Sequence, residues 1–265
     1  MLFSKILTGE IMPILVFLHG LLGSSEDWQK VRERLTHYNI ESIALDLPAH
    51  GKVKQLSVNN FEHCMEYLSK QIKTRIGDRD YILIGYSLGG RLALYYSLYA
   101  QVDKSHLVGV IVEGANFGLQ IEEEKALRWE NDVSWAKRFM YEPLNIVLED
   151  WYQQGVFAHL NETERALLIQ ERMLNDGGCI GAMLQATSLA KQPFLGTLLI
   201  QQQRKGINFL QNFFYFCGEK DLKFQQIARQ QDVEPIVIEQ AGHNAHKEQP
   251  QIFVEKLVGI IHQYF

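Results

Sequence analysis

The chain has 265 residues, 46% of them hydrophobic and 22% charged, a balance that excludes disorder and allows one large α/β domain or two ordinary ones. A formal net charge of -5 removes any bulk electrostatic reason to expect nucleic acid or an anionic membrane as partner, so an anionic ligand must be drawn by local basic residues. No run is long enough to span a bilayer, and residues 1–13 lack the continuous apolar core and small-residue cleavage site of a leader, so the cytoplasm is the expected compartment. Cys64, Cys179 and Cys217 form an odd set without metal-type spacing and read as buried free thiols.

Residues 14–18 are a short aliphatic run that reads as a strand, followed by the glycine-flanked loop His19-Gly20-Leu21-Leu22-Gly23. A second strand-like run spans 42–45, and residues 61–76 carry helical periodicity. The third run, 81–84, leads into Gly85-Tyr86-Ser87-Leu88-Gly89 and then a helix-like stretch over 90–99. Residues 107–112 make a fourth run. This alternation predicts a mostly parallel sheet with helices on both faces. After Gly118 the pattern changes: 120–139, 143–152, 162–175 and 181–190 read as successive helices with no strand between them. Residues 119–205 are therefore expected to form a helical cap inserted into a core made of 1–118 and 206–265. Gln201-Gln202-Gln203 is a polar cluster at a helix end or loop. Strand-like runs resume at 212–217 and 235–238, and the amphipathic segment 250–264, opened by Pro250, closes the chain.

The chemistry follows from what stands at the strand ends. A glycine-flanked serine between a strand and a helix is the context that exposes a nucleophilic hydroxyl. A tight turn with a solvated hydroxyl would explain the pentapeptide alone. It does not explain Asp221, just past the run at 213–217, and His243, just past 235–238, which follow Ser87 in the order Ser, Asp, His. A serine needs an imidazole to accept its proton, and the imidazole needs an anion to hold its tautomer. Ser87, His243 and Asp221 supply the three parts. His19, His50 and His246 compete for the histidine role, but the Gly242-His243 step after a strand favours His243. The backbone N–H groups of Leu21 and Leu88 are assigned to an oxyanion hole, with His19 bracing the loop.

Arg91 lies four residues past Ser87 and returns to the same helical face. Convergent arginines would signal a polyanionic substrate, and the cap offers Arg128, Arg138, Arg165 and Arg172, most of them expected to be solvated. His243, His246 and Glu248 lack an organised ligand set, so no metal is expected. Trp129, Trp135, Trp151 and Tyr152 stud the cap and read first as packing.

Six separated segments, Gly85 to Arg91, Asp46-Leu47-Pro48-Ala49-His50-Gly51, Val112-Glu113-Gly114, Asp150-Trp151-Tyr152-Gln153-Gln154, Gly218 to Phe224 and Ala241 to His246, together resemble one family of the α/β-hydrolase superfamily. That family is 2-succinyl-6-hydroxy-2,4-cyclohexadiene-1-carboxylate synthase of menaquinone biosynthesis. The resemblance implies an α/β-hydrolase fold and a lyase reaction that eliminates pyruvate from an enolpyruvyl cyclohexene carboxylate bearing a succinyl group, without a cofactor. It implies that Ser87, Asp221 and His243 are the triad and that Tyr86, Arg91, Arg128, Trp151 and Arg172 meet a small polyanionic substrate. Three departures stand out: Ala49 replaces a common glycine, Ala115-Asn116-Phe117 replaces Gly-His-Pro, and Gly155 replaces a proline. The same triad would also suit a carboxylesterase or thioesterase working through an acyl-enzyme, and a ligand-binding protein on the same scaffold is a third possibility. Nothing in the sequence fixes the oligomeric state.

Overall fold

The computed structural model describes residues 12–207 and 211–265. The reading of residues 1–13 as leaderless falls almost wholly outside them. Among the described residues six strands, β1 (Ile14–Leu18), β2 (Ser42–Leu45), β3 (Tyr81–Tyr86), β4 (Leu107–Glu113), β5 (Phe213–Gly218) and β6 (Ile236–Ile238), form one sheet in the order β2-β1-β3-β4-β5-β6. Every pair is parallel. Parallel neighbours need long crossovers, and helices α1 (Gln29–Thr36), α2 (Phe61–Ile76) and α3 (Leu88–Leu98) supply the first of them.

The pleat sorts the core into two layers. Ile14, Val16 and Leu18 of β1 face a cluster with Cys64, Met65 and Leu68 of α2 and Leu92 of α3, while Leu15 and Phe17 face Val31 and Leu35 of α1. The closing helix, Pro250–Tyr264, joins the second layer through Phe253, Val254 and Leu257. Covering both faces is why the strands read as unbroken apolar runs rather than alternating ones. Cys64 and Cys217 are buried, as expected, whereas Cys179 is only half-buried because it sits in the first turn of a helix beside its capping residue. Among the described residues no helix is long and apolar enough to cross a membrane.

Between β4 and β5 lie α4 (Glu122–Tyr141), α5 (Leu144–Trp151), α6 (Glu162–Arg172), α7 (Gly177–Ala186) and α8 (Gly196–Arg204). Helices α4, α5 and α7 build a small core of Ala136, Phe139, Val147, Leu148, Tyr152, Ile180 and Leu184, with Leu168 and Ile169 of α6 packed against it and Leu22 of the loop after β1 closing it from below. The last helix instead sends Leu199 into the main core. Helix α7 begins four residues before the predicted start at 181. Its glycines are a contact surface rather than a break: a Cβ on Gly177 would lie 2.3 Å from the Phe139 carbonyl oxygen, and one on Gly181 2.6 Å from that of Ala136. The Asp176 side chain caps the helix by accepting from Cys179 N–H at 2.9 Å.

An ion cluster docks this helical insertion onto the core. Arg172, ending α6, donates two parallel hydrogen bonds to Asp27, at 3.0 and 2.8 Å, and Lys247 reaches the same carboxylate at 3.1 Å. Asn175 adds a bond to the Leu22 carbonyl at 2.9 Å. Burial pushes the Asp27 carboxyl up, but the Arg172 and Lys247 charges outweigh it and hold it well below the usual carboxylate range. A depressed carboxylate contributes stability that is complete above its ordinary value near 3.8 and is lost as pH falls toward its folded value. Asp27→Asn leaves Arg172 buried against a neutral group and is expected to cost about 3–5 kcal/mol at pH 7. That deficit shrinks by about 1 kcal/mol at pH 3, as urea unfolding at the two pH values would measure. Equal deficits at both would exclude the ion pair as its source.

Candidate active site

The strand β3 passes into α3 through Ser87, whose φ of 50° and ψ of -109° place a non-glycine residue in a strained, left-handed conformation. Two features hold it there. The Ser87 N–H donates to the Glu113 carbonyl at 2.8 Å, and α3 packs directly on the strands. A Cβ on Gly85 would lie 2.3 Å from the Gly89 carbonyl oxygen, and one on Gly89 2.4 Å from that of Leu18. The glycines flanking the serine are thus required by backbone approach on both sides, and the turn lifts the half-buried hydroxyl off the sheet.

The structure brings the expected triad together. His243 Nδ1 lies 2.6 Å from Asp221 Oδ2, and His243 Nε2 lies 3.4 Å from Ser87 Oγ, within the looser range common before substrate binds. Asp221 and His243 are both buried. Phe224 stacks on the imidazole with ring centroids 4.6 Å apart. Gly114 faces its other edge with φ 55°, and a Cβ there would come within 2.8 Å of His243 Cε1. The three competing histidines do other work. His19 Nε2 accepts from Leu47 N–H and His50 Nε2 accepts from Leu22 N–H, each at 3.0 Å. Both therefore brace the loop after β1, and burial, assisted by the neighbouring His19, pulls His50 down to about 3. His246 turns to Glu113.

Gly20 of that loop packs against the elbow, where a Cβ would meet the Tyr86 ring at 2.7 Å and Ser87 Cβ at 3.5 Å. The N–H groups of Leu21 and Leu88 have no protein acceptor among the described residues, whereas Leu22 N–H is already held by His50. Two free donors therefore flank the serine, as an oxyanion hole requires.

The expected substrate-binding residues divide. The Tyr86 ring lies between two imidazoles, 5.2 Å from His243 and 5.0 Å from His246. Arg91 is buried, and among the described residues its guanidinium donates to neutral acceptors alone, Gln192 Oε1 at 3.1 Å and the Thr187 carbonyl at 2.7 Å. Burial first and the Arg128 charge second pull it down to about 9. Arg128 is more open and donates to the buried Asp132 at 2.8 Å. Arg172, expected to meet a substrate carboxylate, meets that of Asp27 instead, because α6 docks its last turn onto the segment after β1. Trp151 packs edge-on against Trp135 at 5.0 Å and against Phe139 at 5.4 Å, so the structure shows it as part of the insertion's own core. Arg138 pairs at the surface with Glu142 and Asp150, and Arg165 donates to the Leu160 carbonyl.

Sequence reasoning missed several residues that hold these groups. Gln192 bridges two segments, accepting from Arg91 and donating to the Asn116 carbonyl at 3.0 Å. Glu248 accepts from Gly242 N–H at 2.7 Å, from Asn244 N–H at 3.3 Å and from His159 of the insertion at 2.9 Å. Asp27, the partner of Arg172, did have a local signal: Ser24 and Asp27 form a capping box.

Comparison with known proteins identifies the fold and the family. Residues 13–250 match the family model described as the alpha/beta hydrolase fold. A Haemophilus influenzae protein provisionally named 2-succinyl-6-hydroxy-2,4-cyclohexadiene-1-carboxylate synthase is 51% identical over 93% of this chain and 96% of its own length. The Yersinia enterocolitica protein of that name is 42% identical over 95% of this chain and 87% of its own. Among solved structures, MenH from S. aureus superposes with a TM-score of 0.83 at 26% identity, covering 96% of this chain and 95% of that one. A thermophilic esterase from Thermogutta terrifontis, at 20% identity and a TM-score of 0.76 over 97% of this chain and 91% of its own, shares the fold. By its long, high-identity match to these relatives, the chain belongs to the 2-succinyl-6-hydroxy-2,4-cyclohexadiene-1-carboxylate synthase family, on the α/β-hydrolase fold.

Proposed function

We propose that this protein eliminates pyruvate from 2-succinyl-5-enolpyruvyl-6-hydroxy-3-cyclohexene-1-carboxylate to give 2-succinyl-6-hydroxy-2,4-cyclohexadiene-1-carboxylate. The observation that carries this reading beyond the family match is Arg91: a guanidinium buried one turn from Ser87 with no carboxylate bonded to it among the described residues. A buried cation satisfied only by neutral acceptors is costly, and a substrate carboxylate brought against it offsets that cost. A simple ester has no such group to offer.

The reaction needs a base, a place for negative charge and a path for the leaving group. In the proposed mechanism, His243 takes the Ser87 proton and Asp221 stabilises the resulting imidazolium. Ser87 Oγ then removes the ring proton beside the succinyl carbonyl. The electron pair delocalises onto that carbonyl oxygen as an enolate, held by Leu21 and Leu88 N–H. Collapse of the enolate forms the ring double bond next to the succinyl group, shifts the existing one along the ring and breaks the carbon–oxygen bond to the enolpyruvyl group. The electron pair leaves with the oxygen as pyruvate enolate, which becomes pyruvate on protonation at carbon, and the proton held by the His243 imidazolium balances that uptake and restores the neutral relay. Tyr86 and Arg128 complete the proposed binding surface, with Arg91 taking one carboxylate. Arg172 and Trp151 belong to this surface only if the insertion shifts on binding, because both are engaged within the protein here.

Following pyruvate release from substrate generated in situ tests the proposal. Ser87→Ala and His243→Ala are each expected to lower kcat by about 1,000-fold or more, and the double variant to lose little further, because the two act as a unit. Arg91→Ala is expected to cost about 30- to 150-fold in kcat/KM, the worth of one or two charge-assisted hydrogen bonds. The same protein should turn over a short uncharged ester only slowly. Fast ester cleavage without pyruvate release would instead establish an esterase.

A further inference from the structure

Behind the triad lies a second acid–histidine pair that the mechanism does not use. Glu113 ends β4 and His246 lies three residues past His243. Glu113 Oε2 accepts from His246 Nδ1 at 2.7 Å, and Glu113 Oε1 accepts from the His246 backbone N–H at 3.1 Å. Both side chains are wholly inaccessible. Trp28 covers the far face of the imidazole, stacked at 3.8 Å, and Tyr86 closes its near edge at 5.0 Å. Burying such a pair is a poor route to stability, since packed apolar groups do as well or better.

The geometry around Glu113 shows what the pair does. Its backbone carbonyl is the acceptor for Ser87 N–H, at 2.8 Å. Its carboxylate holds the loop that carries His243. The next residue, Gly114, lies against the His243 ring. One residue at the end of β4 thus fixes the strained elbow by its main chain and the histidine loop by its side chain. The Tyr86 ring is wedged between His243 and His246, so the spacing of the two histidines also sets how that ring sits.

We propose that Glu113 and His246 are positioning residues that together set the separation and alignment of Ser87 Oγ and His243 Nε2. Proton transfer is steep in that separation. A displacement near 1 Å reduces turnover by about 100-fold while leaving residues that hold the substrate carboxylates in place. The role concerns the serine's activation, and as a statement about kcat it rests on the pyruvate-elimination reading given above.

The test uses Glu113→Gln, Glu113→Ala, His246→Ala and the double alanine variant in the full-length protein, with circular dichroism and a thermal melt confirming folding. One readout needs no natural substrate: labelling of Ser87 by a fluorophosphonate, in which the Ser87 Oγ–phosphorus bond forms, fluoride leaves and the hydroxyl proton passes to His243. Glu113→Ala and His246→Ala are each expected to slow labelling and lower kcat by about 10- to 100-fold, with KM changed less than about twofold. Glu113→Gln, which keeps an acceptor for His246 N–H, is expected to recover most of the rate, and the double variant to be no worse than either single one. Folded Glu113→Ala and His246→Ala proteins that label at the wild-type rate, or losses that multiply in the double variant, would overturn the proposal. Normal labelling of wild type without pyruvate release would count against the proposed reaction alone and leave this inference standing.

Discussion

The backbone of Ser87 is the constraint on which the site depends. A left-handed serine is an unfavourable conformation, and it persists because its surroundings leave it no alternative. The glycines on either side admit carbonyl groups where side chains would collide, the Glu113 carbonyl takes its amide, and a helix buried along every residue presses down from above. From that one turn the rest of the chemistry is laid out. The hydroxyl is raised toward His243, the first amide of α3 is left without an acceptor, and Arg91 is carried one turn up the helix to the underside of the insertion.

Much of this was legible in the sequence, and for a physical reason. A parallel sheet buried on both faces must write its strands as short apolar runs, and side chains that converge at one end of it must sit where those runs end. The convergence of Ser87, Asp221 and His243 was therefore readable from position alone, and the Leu21 loop from its place after the first run. What escaped was whatever depends on pairings between distant segments. Nothing near Arg172 in sequence announces Asp27, which lies 145 residues away. Gln192 sits in a featureless stretch and acquires meaning only when Arg91 arrives beneath it. The glycines at 177 and 181 resembled a helix boundary because local propensity disfavours them, while packing against α4 demands them.

The departures from the family pattern fare unequally. Ala49 occupies a position with φ 67°, the conformation that a glycine adopts without strain, so this chain carries a local cost of about 1–2 kcal/mol there. Gly155 stands in open space with an ordinary backbone, and the turn it opens closes normally. Asn116 and Phe117 are built into the structure rather than tolerated by it: the Asn116 side chain accepts from Gly118 N–H at 2.9 Å, and Phe117 stacks on Tyr215 at 5.8 Å. Residues 115–117 are thus well anchored.

That anchoring bears on how the chain acquires its fold. The Phe117 carbonyl accepts from Leu195 N–H, and the Gln192 side chain donates to the Asn116 carbonyl across 76 residues of intervening sequence, so the two stems of the insertion are fastened to each other. Directly beneath them, the Tyr215 hydroxyl donates to the Ala115 carbonyl 100 residues away, where β4 and β5 lie side by side. Contacts of such sequence separation demand their loop-closure entropy before they return anything, whereas β1 to β4 assemble through shorter crossovers. Bringing the stems together shortens the effective loop that β5 must close. Asp221 and His243 both lie beyond that junction, so their meeting with Ser87 depends on the longest-range strand pairing in the sheet.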